Sequence, residues 1–349
     1  MYYFCTYFDH RYLSRGLALY QSLRRQCPSF QLWILCLDRP CYDVLLELRL
    51  PSVRVIPLEE FEKGDRDLLI AKQNRSMIEY YFTCTPSLPL FIFNNYPEVD
   101  LITYLDADLF FFSDPTPIYR EITDHSIAII GHRFPPTLRG LEQHGIYNVG
   151  WVSFRRDKHA FACLNWWRDR CIEWCYDRCE DDRFADQKYL DNWPNLFQGV
   201  IVLRHKGANV APWNLGNHKV RQNGRHVWVD DQPLIFFHFH GFKQIREWIY
   251  DPNLASFKMR LSNALRRGIY LPYVRTLLDV TRPISHLLQD NAIGSSARGQ
   301  VVQAPGDVPL FRRAVIWSRR LVSVARGILV GELLLVVNGR CRTEERTGA

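Results

Sequence analysis

The sequence predicts an α/β fold in which parallel strands are joined by crossover helices, followed by a helical, basic C-terminal extension. Three observations carry this expectation. Apolar strand-like runs alternate with segments of helical periodicity from the N-terminus onward. A pair of carboxylates, Asp106-Ala107-Asp108, closes one of those runs, and in open α/β sheets ligands bind beyond the carboxyl ends of strands. The formal net charge of +7 is also uneven: residues 254–349 hold 15 Lys/Arg against 6 Asp/Glu, whereas residues 1–253 are nearly neutral at −2. Such asymmetry suggests a polyanion or an anionic membrane surface as partner of the tail.

The elements follow in order. Tyr2 to Tyr7 reads as a strand ending at Phe8-Asp9-His10, and Leu13, Leu17, Tyr20 and Leu23 then recur at helical spacing. Leu32 to Leu37 is a second strand, residues 41–49 a helix, and Val53 to Ile56 a third strand closed by Pro57. Residues 66–97 read as helical with a break at Thr83 to Pro86, where Thr85 would cap a new helix carrying Pro86 in its first turn. Asp100 to Leu105 is an apolar strand, and further strands are expected at 126–131, 148–154, 200–203 and 234–239. Residues 158–180 read as one helix, which would stack Cys171, Cys175 and Cys179 on one face. A helical extension over 254–290 and a linker over 291–308 precede a basic amphipathic helix in 309–349. That helix sets Phe311, Val315, Ile316, Val322, Ile328 and Leu329 against Arg312, Arg313, Arg319, Arg320 and Arg326 over 309–337, a pattern suited to an anionic membrane interface.

Composition excludes several classes. With 47% hydrophobic and 23% charged residues the chain has an ordinary globular balance. No run approaches the roughly 18 uncharged apolar residues of a spanning helix. The start lacks the basic and apolar regions of a signal peptide, which reads as a chain made and kept in the cytosol with its ten cysteines reduced, and the basic tail adds the expectation of a peripheral place on the inner membrane face.

The chemistry concentrates in two stretches. In Thr103 to Phe112, apolar residues flank Asp106 and Asp108 on both sides. On an extended chain a spacing of two points both carboxylates the same way, and a hard divalent cation removes their repulsion. In Phe236 to Lys243, His238 and His240 lie beside Gly241 and Lys243. Neutral imidazole suits Mn²⁺ as a third ligand, glycine admits close backbone approach, and lysine neutralises phosphate. On a strand the two histidines share a face, so spacing alone does not choose between them.

On these residues the chain resembles a nucleotide-sugar glycosyltransferase of the GT-A fold, a Rossmann-like mixed sheet with flanking helices. It is similar to the retaining family that includes glycogenin and bacterial lipopolysaccharide galactosyltransferases. Thr6 to Tyr12, Tyr104 to Asp108, Tyr147-Asn148-Val149-Gly150 and Asp186-Gln187 match in order, over about residues 1–250. The resemblance makes residues 1–253 the catalytic domain. It implies Mn²⁺ or Mg²⁺ held by Asp106, Asp108 and His238, and a nucleotide-sugar donor, a UDP-sugar, contacted by Thr6, Asp9, Tyr12, Arg75, Asp106 and Lys243. It places Asn148, Asp186 and Gln187 on the sugar as catalytic residues and a glycan or glycolipid such as lipopolysaccharide as acceptor, with Pro212-Trp213-Asn214 lining the acceptor side. His238-Phe239-His240-Gly241 matches the family motif with His238 as ligand, but Lys243 follows Gly241 by two residues where the family has three, and the usual Pro-Trp is missing.

Two other classes compete. A metal-dependent nucleotidyltransferase would use the same acidic pair, although no GxxxxGK[ST] loop or GxGxxG fingerprint occurs. A non-catalytic sugar- or membrane-binding protein would be expected to have lost the acidic pair. Neither GxSxG nor HExxH is present, and the tail is poor in base-reading polar residues, against a nucleic-acid partner.

Overall fold

The structure, a computed structural model, describes residues 1–27, 29–290, 332–337 and 340–341. Strand β1 (Tyr2–Phe8) leads into helix α1 (Leu13–Gln26), then β2 (Phe30–Cys36), α2 (Arg39–Leu48) and β3 (Val53–Pro57). Short helices α3 (Leu58–Glu62) and α4 (Arg66–Gln73) precede the long α5 (Met77–Asn95), which feeds β4 (Leu101–Leu105) and β5 (Leu109–Phe111). Next come α6 (Thr116–Ile122), β6 (Ile127–Gly131), β7 (Tyr147–Arg155), α7 (Lys158–Glu173), α8 (Trp193–Leu196) and β8 (Val200–Leu203).

The central sheet has the order β3-β2-β1-β4-β7-β6-β8. The alternation of elements predicts parallel pairing, and that holds for β1 with β2 and β4, β2 with β3, and β6 with β8. Strand β7 runs the other way against both β4 and β6, so the sheet is mixed. The reversal matters for the site, because it brings the start of β7 to the carboxyl end of β4.

Both faces of the sheet are covered, which explains why its strands read as nearly continuous apolar runs. Along β1 and β2, Phe4, Phe8, Leu32 and Ile34 join the core beneath α1, α2 and α6, while Cys5, Trp33 and Leu35 join the core beneath α5 and α7. A third core forms around Phe237, Phe239 and the helices near the end of the described chain.

That third region contains the hairpin sheet of β9 (Val220–Asn223), β10 (His226–Val229) and β11 (Gln232–Pro233). Strand β12 (Phe236–His238) pairs with β5, and β13 (Lys243–Arg246) and β14 (Ile249–Asp251) follow. Short α9 (Asn263–Leu265) and one π turn lead into α10 (Leu271–Asp290). Strands β15 (Leu334–Val337) and β16 (Arg340–Cys341) extend the sheet through β14.

Three expectations need correction. Helix α5 runs through Thr83 to Pro86, and the break falls at Asn74 to Ser76, where Ser76 and Glu79 form a capping box. The prolines lie in a stretch that is buried against the sheet, where packing outweighs the loss of their helical hydrogen bonds. Helix α7 ends at Glu173 and Trp174 is extended, so Cys175 and Cys179 leave the face that carries Cys171. Leu334–Val337 is strand where a helix over 309–337 was expected: it pairs with β14 and buries Leu334 and Val336. The rest of that helix and the expected linker lie outside the described residues. Among the described residues no helix is long and apolar enough to cross a membrane.

Candidate functional site

The acidic pair sits in a turn. Strand β4 ends at Leu105, the Asp106 N–H bonds the Gly150 carbonyl of β7 at 3.2 Å, and the Leu109 N–H returns to the Asp106 carbonyl at 3.2 Å. The carboxylates converge because the chain folds back into β5, not because it stays extended as the spacing had suggested. Strand β12 lies antiparallel to β5 with His238 opposite Leu109, and the Phe239 N–H donates to the Asp108 carbonyl at 3.0 Å. These contacts set His238 Nε2 at 3.0 Å from Asp108 Oδ1 and 3.7 Å from Asp106 Oδ2. One ligand atom from each of the three residues lies within 4.8 Å of the others. His240 is exposed and rests edge-on against Trp213, so the burial of the pair falls to His238.

The orientation of His238 is dictated from behind. Asn148 Oδ1 accepts from the Gly150 N–H at 3.2 Å and faces His238 Nδ1 at 3.3 Å. A backbone N–H can only donate, so the atom beside it is the amide oxygen and His238 Nδ1 carries the proton. In a neutral ring this aims the Nε2 lone pair at two carboxylates, an arrangement that a proton or a cation must bridge. Gly150 is required here: a Cβ would stand 2.6 Å from Asn148 Oδ1 and 3.0 Å from the His238 ring. The register shift between β6 and β7 at Ile129/Ile130 places Asn148 opposite Ile130, and such irregularities commonly re-aim side chains beside active sites.

The electrostatics are those of two carboxylates coupled to an imidazole. Enclosure pushes Asp106 up to about 6, with Asp108 adding to the rise and His238 opposing it. Enclosure also raises Asp108, but the adjoining His238 ring outweighs it and holds that carboxyl at about 2. His238 itself is raised, because the two carboxylates overcome the cost of burying its charge. Two hard oxygen donors and an imidazole with a directed lone pair fit a divalent cation.

The structure brings several sequence-derived candidates to this cluster. Gln187 Oε1 accepts from Asn148 Nδ2 at 3.2 Å, while Gln187 Nε2 donates to the His144 carbonyl at 3.0 Å. Asp186 is buried, and desolvation pushes it up to about 7 against a hydrogen bond from Thr85, with Asp106 adding to the rise. Thr85, expected as a helix cap, serves instead to join Asp186 and Tyr7, whose hydroxyl lies 2.9 Å from Thr85 Oγ1. Ala185, just before Asp186, adopts a left-handed φ of 47°, a cost that non-glycine residues carry mostly at constrained sites. Tyr12 is 43% exposed at the start of α1, and enclosure together with the charge of Asp108 raises its hydroxyl pKa. Asp9 Oδ1 accepts from the Arg11 and Tyr12 N–H groups and shapes that corner.

Other candidates stand apart. Thr6 is fully buried within β1. Arg75 is held by the Tyr176 hydroxyl at 2.6 Å and the Ile172 carbonyl at 3.1 Å, between α5 and the end of α7. Lys243 is exposed at the start of β13, and its charge reaches His240. Trp213 is buried, donates to the His132 carbonyl at 2.9 Å, and meets the His238 ring edge-on at 5.0 Å.

Sequence reasoning missed three participants. The Tyr104 hydroxyl donates to Asp106 Oδ1 at 3.0 Å, a spacing of two on the strand that could have been read. Arg15 lies 4.3 Å over the Tyr12 ring, donates to the Phe242 carbonyl at 2.7 Å, and helps lower Asp108. His132 contacts Asn148, and burial drops its pKa to about 3, which keeps the ring neutral. Nothing local in the sequence marks the last two.

No family profile matches the chain. The solved structure of galactosyltransferase LgtC in complex with donor and acceptor sugar analogues is similar at a TM-score of 0.47 and 14% identity, covering 79% of this chain and 95% of LgtC. Among curated proteins, uncharacterized protein YfnF of Bacillus subtilis (strain 168) is 34% identical over 248 residues, 69% of this chain and 81% of YfnF. Uncharacterized protein YfnD of the same organism is 33% identical over 279 residues, 79% of this chain and 88% of YfnD. At that identity and coverage, the chain belongs to the family of YfnD and YfnF.

Proposed function

We propose that the chain is a metal-dependent glycosyltransferase that moves a sugar from a nucleotide-diphosphate donor, a UDP-sugar, to a glycan or glycolipid acceptor such as lipopolysaccharide, with retention at the anomeric carbon. The observation that carries this reading is the convergence of Asp106, Asp108 and His238 Nε2 at the carboxyl end of β4, beside Asn148, Asp186 and Gln187. The four motifs that resemble glycosyltransferases in sequence order are thus also close in space, except for the buried Thr6.

Asp106, Asp108 and His238 would hold Mn²⁺ or Mg²⁺. Such an ion supplies Lewis-acid stabilisation of the leaving diphosphate. Tyr12 presents an exposed aromatic face beside the acidic pair on which a base can stack, and the free oxygen of Asp9 lies at the same corner. Asp186, pushed up to about 7 by desolvation, is only partly ionised near neutral pH, which suits a group that meets sugar hydroxyls while adding less than a full charge beside Asp106. Arg75 and Lys243 are assigned to the donor by resemblance alone.

The test is a panel of nucleotide sugars with and without Mn²⁺, followed by thermal shift and by analysis of the released nucleotide. A stabilising donor that needs Mn²⁺, and release of nucleoside diphosphate, support the reading. Release of pyrophosphate would make the chain a nucleotidyltransferase, and absence of any nucleotide binding would refute catalysis on such donors.

A further inference from the structure

We infer that His132 is a positioning residue of the metal centre, acting through Asn148 to fix which nitrogen of His238 faces the acidic pair. This rests on the metal reading proposed above and extends it to a residue outside the matched motifs.

The argument starts from two backbone groups whose roles are fixed by chemistry. The Gly150 N–H must donate, so Asn148 presents Oδ1 to it and to His238, and its Nδ2 faces the other way. The His144 carbonyl must accept, so Gln187 presents Nε2 to it and Oε1 to Asn148 Nδ2. Asn148 Nδ2 has two hydrogens. One goes to Gln187 at 3.2 Å and the other to His132 Nε2 at 3.3 Å, which must therefore be the unprotonated nitrogen. All four polar positions of the Asn148 amide are occupied: two donors to Oδ1, two acceptors on Nδ2. Rotating the amide by half a turn would set oxygen against Gln187 Oε1 and His132 Nε2, and NH₂ against the Gly150 N–H.

His132 is built to hold still. Its N–H bonds the Ile146 carbonyl at 2.9 Å, and its carbonyl accepts from Trp213 Nε1 and Asn214 Nδ2, each at 2.9 Å. Its ring stacks on Phe134 with centroids 4.7 Å apart and planes 10° apart, and it is 6% exposed. A buried imidazole gripped at its backbone and on one ring face, with Nε2 directed at an amide, is an acceptor at a fixed point. Its effect at the cluster is to hold the proton of His238 on Nδ1 and the lone pair of Nε2 toward Asp106 and Asp108. Groups behind a metal ligand that set its tautomer typically change metal affinity by about 10- to 100-fold when removed.

The two carboxamide variants separate this role from packing. In His132→Gln the side-chain amide reaches the place of Nε2 and can still present an oxygen to Asn148; in His132→Asn it reaches only the place of Nδ1. Mn²⁺ is titrated alone into the full chain, without nucleotide, and bound metal is read by electron paramagnetic resonance, with histidine nitrogen coupling in the spin echo and thermal midpoints measured in chelator. We expect His132→Asn to bind Mn²⁺ about 10-fold more weakly with reduced nitrogen coupling, and His132→Gln to recover to within about 3-fold of the parent. Equal affinities for parent and His132→Asn, or losses that follow the chelator-state thermal midpoints and are the same in both variants, would overturn the inference. If the parent chain itself binds no Mn²⁺, the metal reading fails first and this inference falls with it.

Discussion

The acidic-histidine cluster at the carboxyl end of β4 and the thiol cluster between α5 and α7 both gather ionisable side chains away from water. In the first, Asp106, Asp108 and His238 carry opposite charges and each has a directed partner: Tyr104, His238 and Asn148 respectively. In the second, Cys84 hydrogen-bonds Tyr80 and Cys171 hydrogen-bonds Cys175 within a core that is otherwise mostly apolar. Desolvation dominates there and pushes Cys171 and Cys84 well above the ordinary thiol range. Burial by itself therefore marks neither region. What distinguishes them is whether the surrounding groups stabilise a charged form or merely exclude water.

The largest effect should come from breaking the charge pattern of the first cluster. Asp108→Asn removes the charge that His238 engages, and Asp106→Asn the one held near 6. We expect either to lower sugar transfer by at least about 10²-fold at saturating Mn²⁺, the loss seen when a charge-stabilising group is removed. Asp106→Asn should also relieve repulsion from Asp108, so its thermal midpoint in chelator should match or exceed the parent's. Near-parental turnover in both variants would end the metal assignment.

Gly150→Ala tests geometry without touching charge. The added methyl would crowd both Asn148 Oδ1 and the His238 ring, so one of them must move. Overpacking of this kind costs about 1–3 kcal/mol, and the chain should still fold. We expect Mn²⁺ affinity to fall about 10-fold or more, with the far-ultraviolet circular dichroism unchanged. Unchanged affinity would show that the ring tolerates displacement.

How much of this was legible beforehand follows from the range of the interactions involved. The positions of the main strands along the chain and the acidic pair were readable because each depends on local pattern, period-two apolarity and a carboxylate spacing, whereas His238 was set apart from His240 by resemblance alone. The reversal of β7 was not, because antiparallel and parallel neighbours share the same apolar run when both faces are buried. The contacts that Asn148 makes were not legible for a related reason. Its partners His132, Gln187 and His238 lie 16, 39 and 90 residues away, and only the register of β7 brings them together. The break expected in α5 failed because local proline chemistry gave way to burial of the helix, and the three-cysteine face failed because α7 ends before its second member.

A further effect should separate the regions by pH. Asp186 has a folded-state pKa of about 7, above its unfolded value near 4, so the folded chain holds that proton more tightly. Its stabilising contribution is full below about pH 4 and is lost as pH rises through 7, on the order of 4 kcal/mol in all. Asp186→Asn removes the ionisation. In chelator, the variant's thermal midpoint should therefore gain on the parent's between pH 5 and pH 8. Parallel midpoints across that range would mean that Asp186 ionises as an ordinary carboxylate.

The smallest effect is expected in the thiol cluster, and it tests the other half of the comparison. Cys171 and Cys175 are buried, whereas Cys179, beyond the end of α7, is exposed. Because the thiolate is the reactive species, a thiol raised by desolvation should resist alkylation even where reagent can reach it. Native protein treated with iodoacetamide and mapped by mass spectrometry should label Cys179 quickly, and Cys171 and Cys175 only after unfolding. Cys171→Ala and Cys175→Ala should lower thermal stability modestly, since each leaves a small void in the core behind the sheet. Mn²⁺ affinity and transfer should stay within about 2-fold of the parent, because no directed hydrogen bond connects these thiols to His238. A 10-fold change in either would mean that the core beneath α7 is mechanically coupled to the metal centre through Asp186, whose charge Cys171 feels. Burial dominated by desolvation would then have failed as a criterion for inert packing.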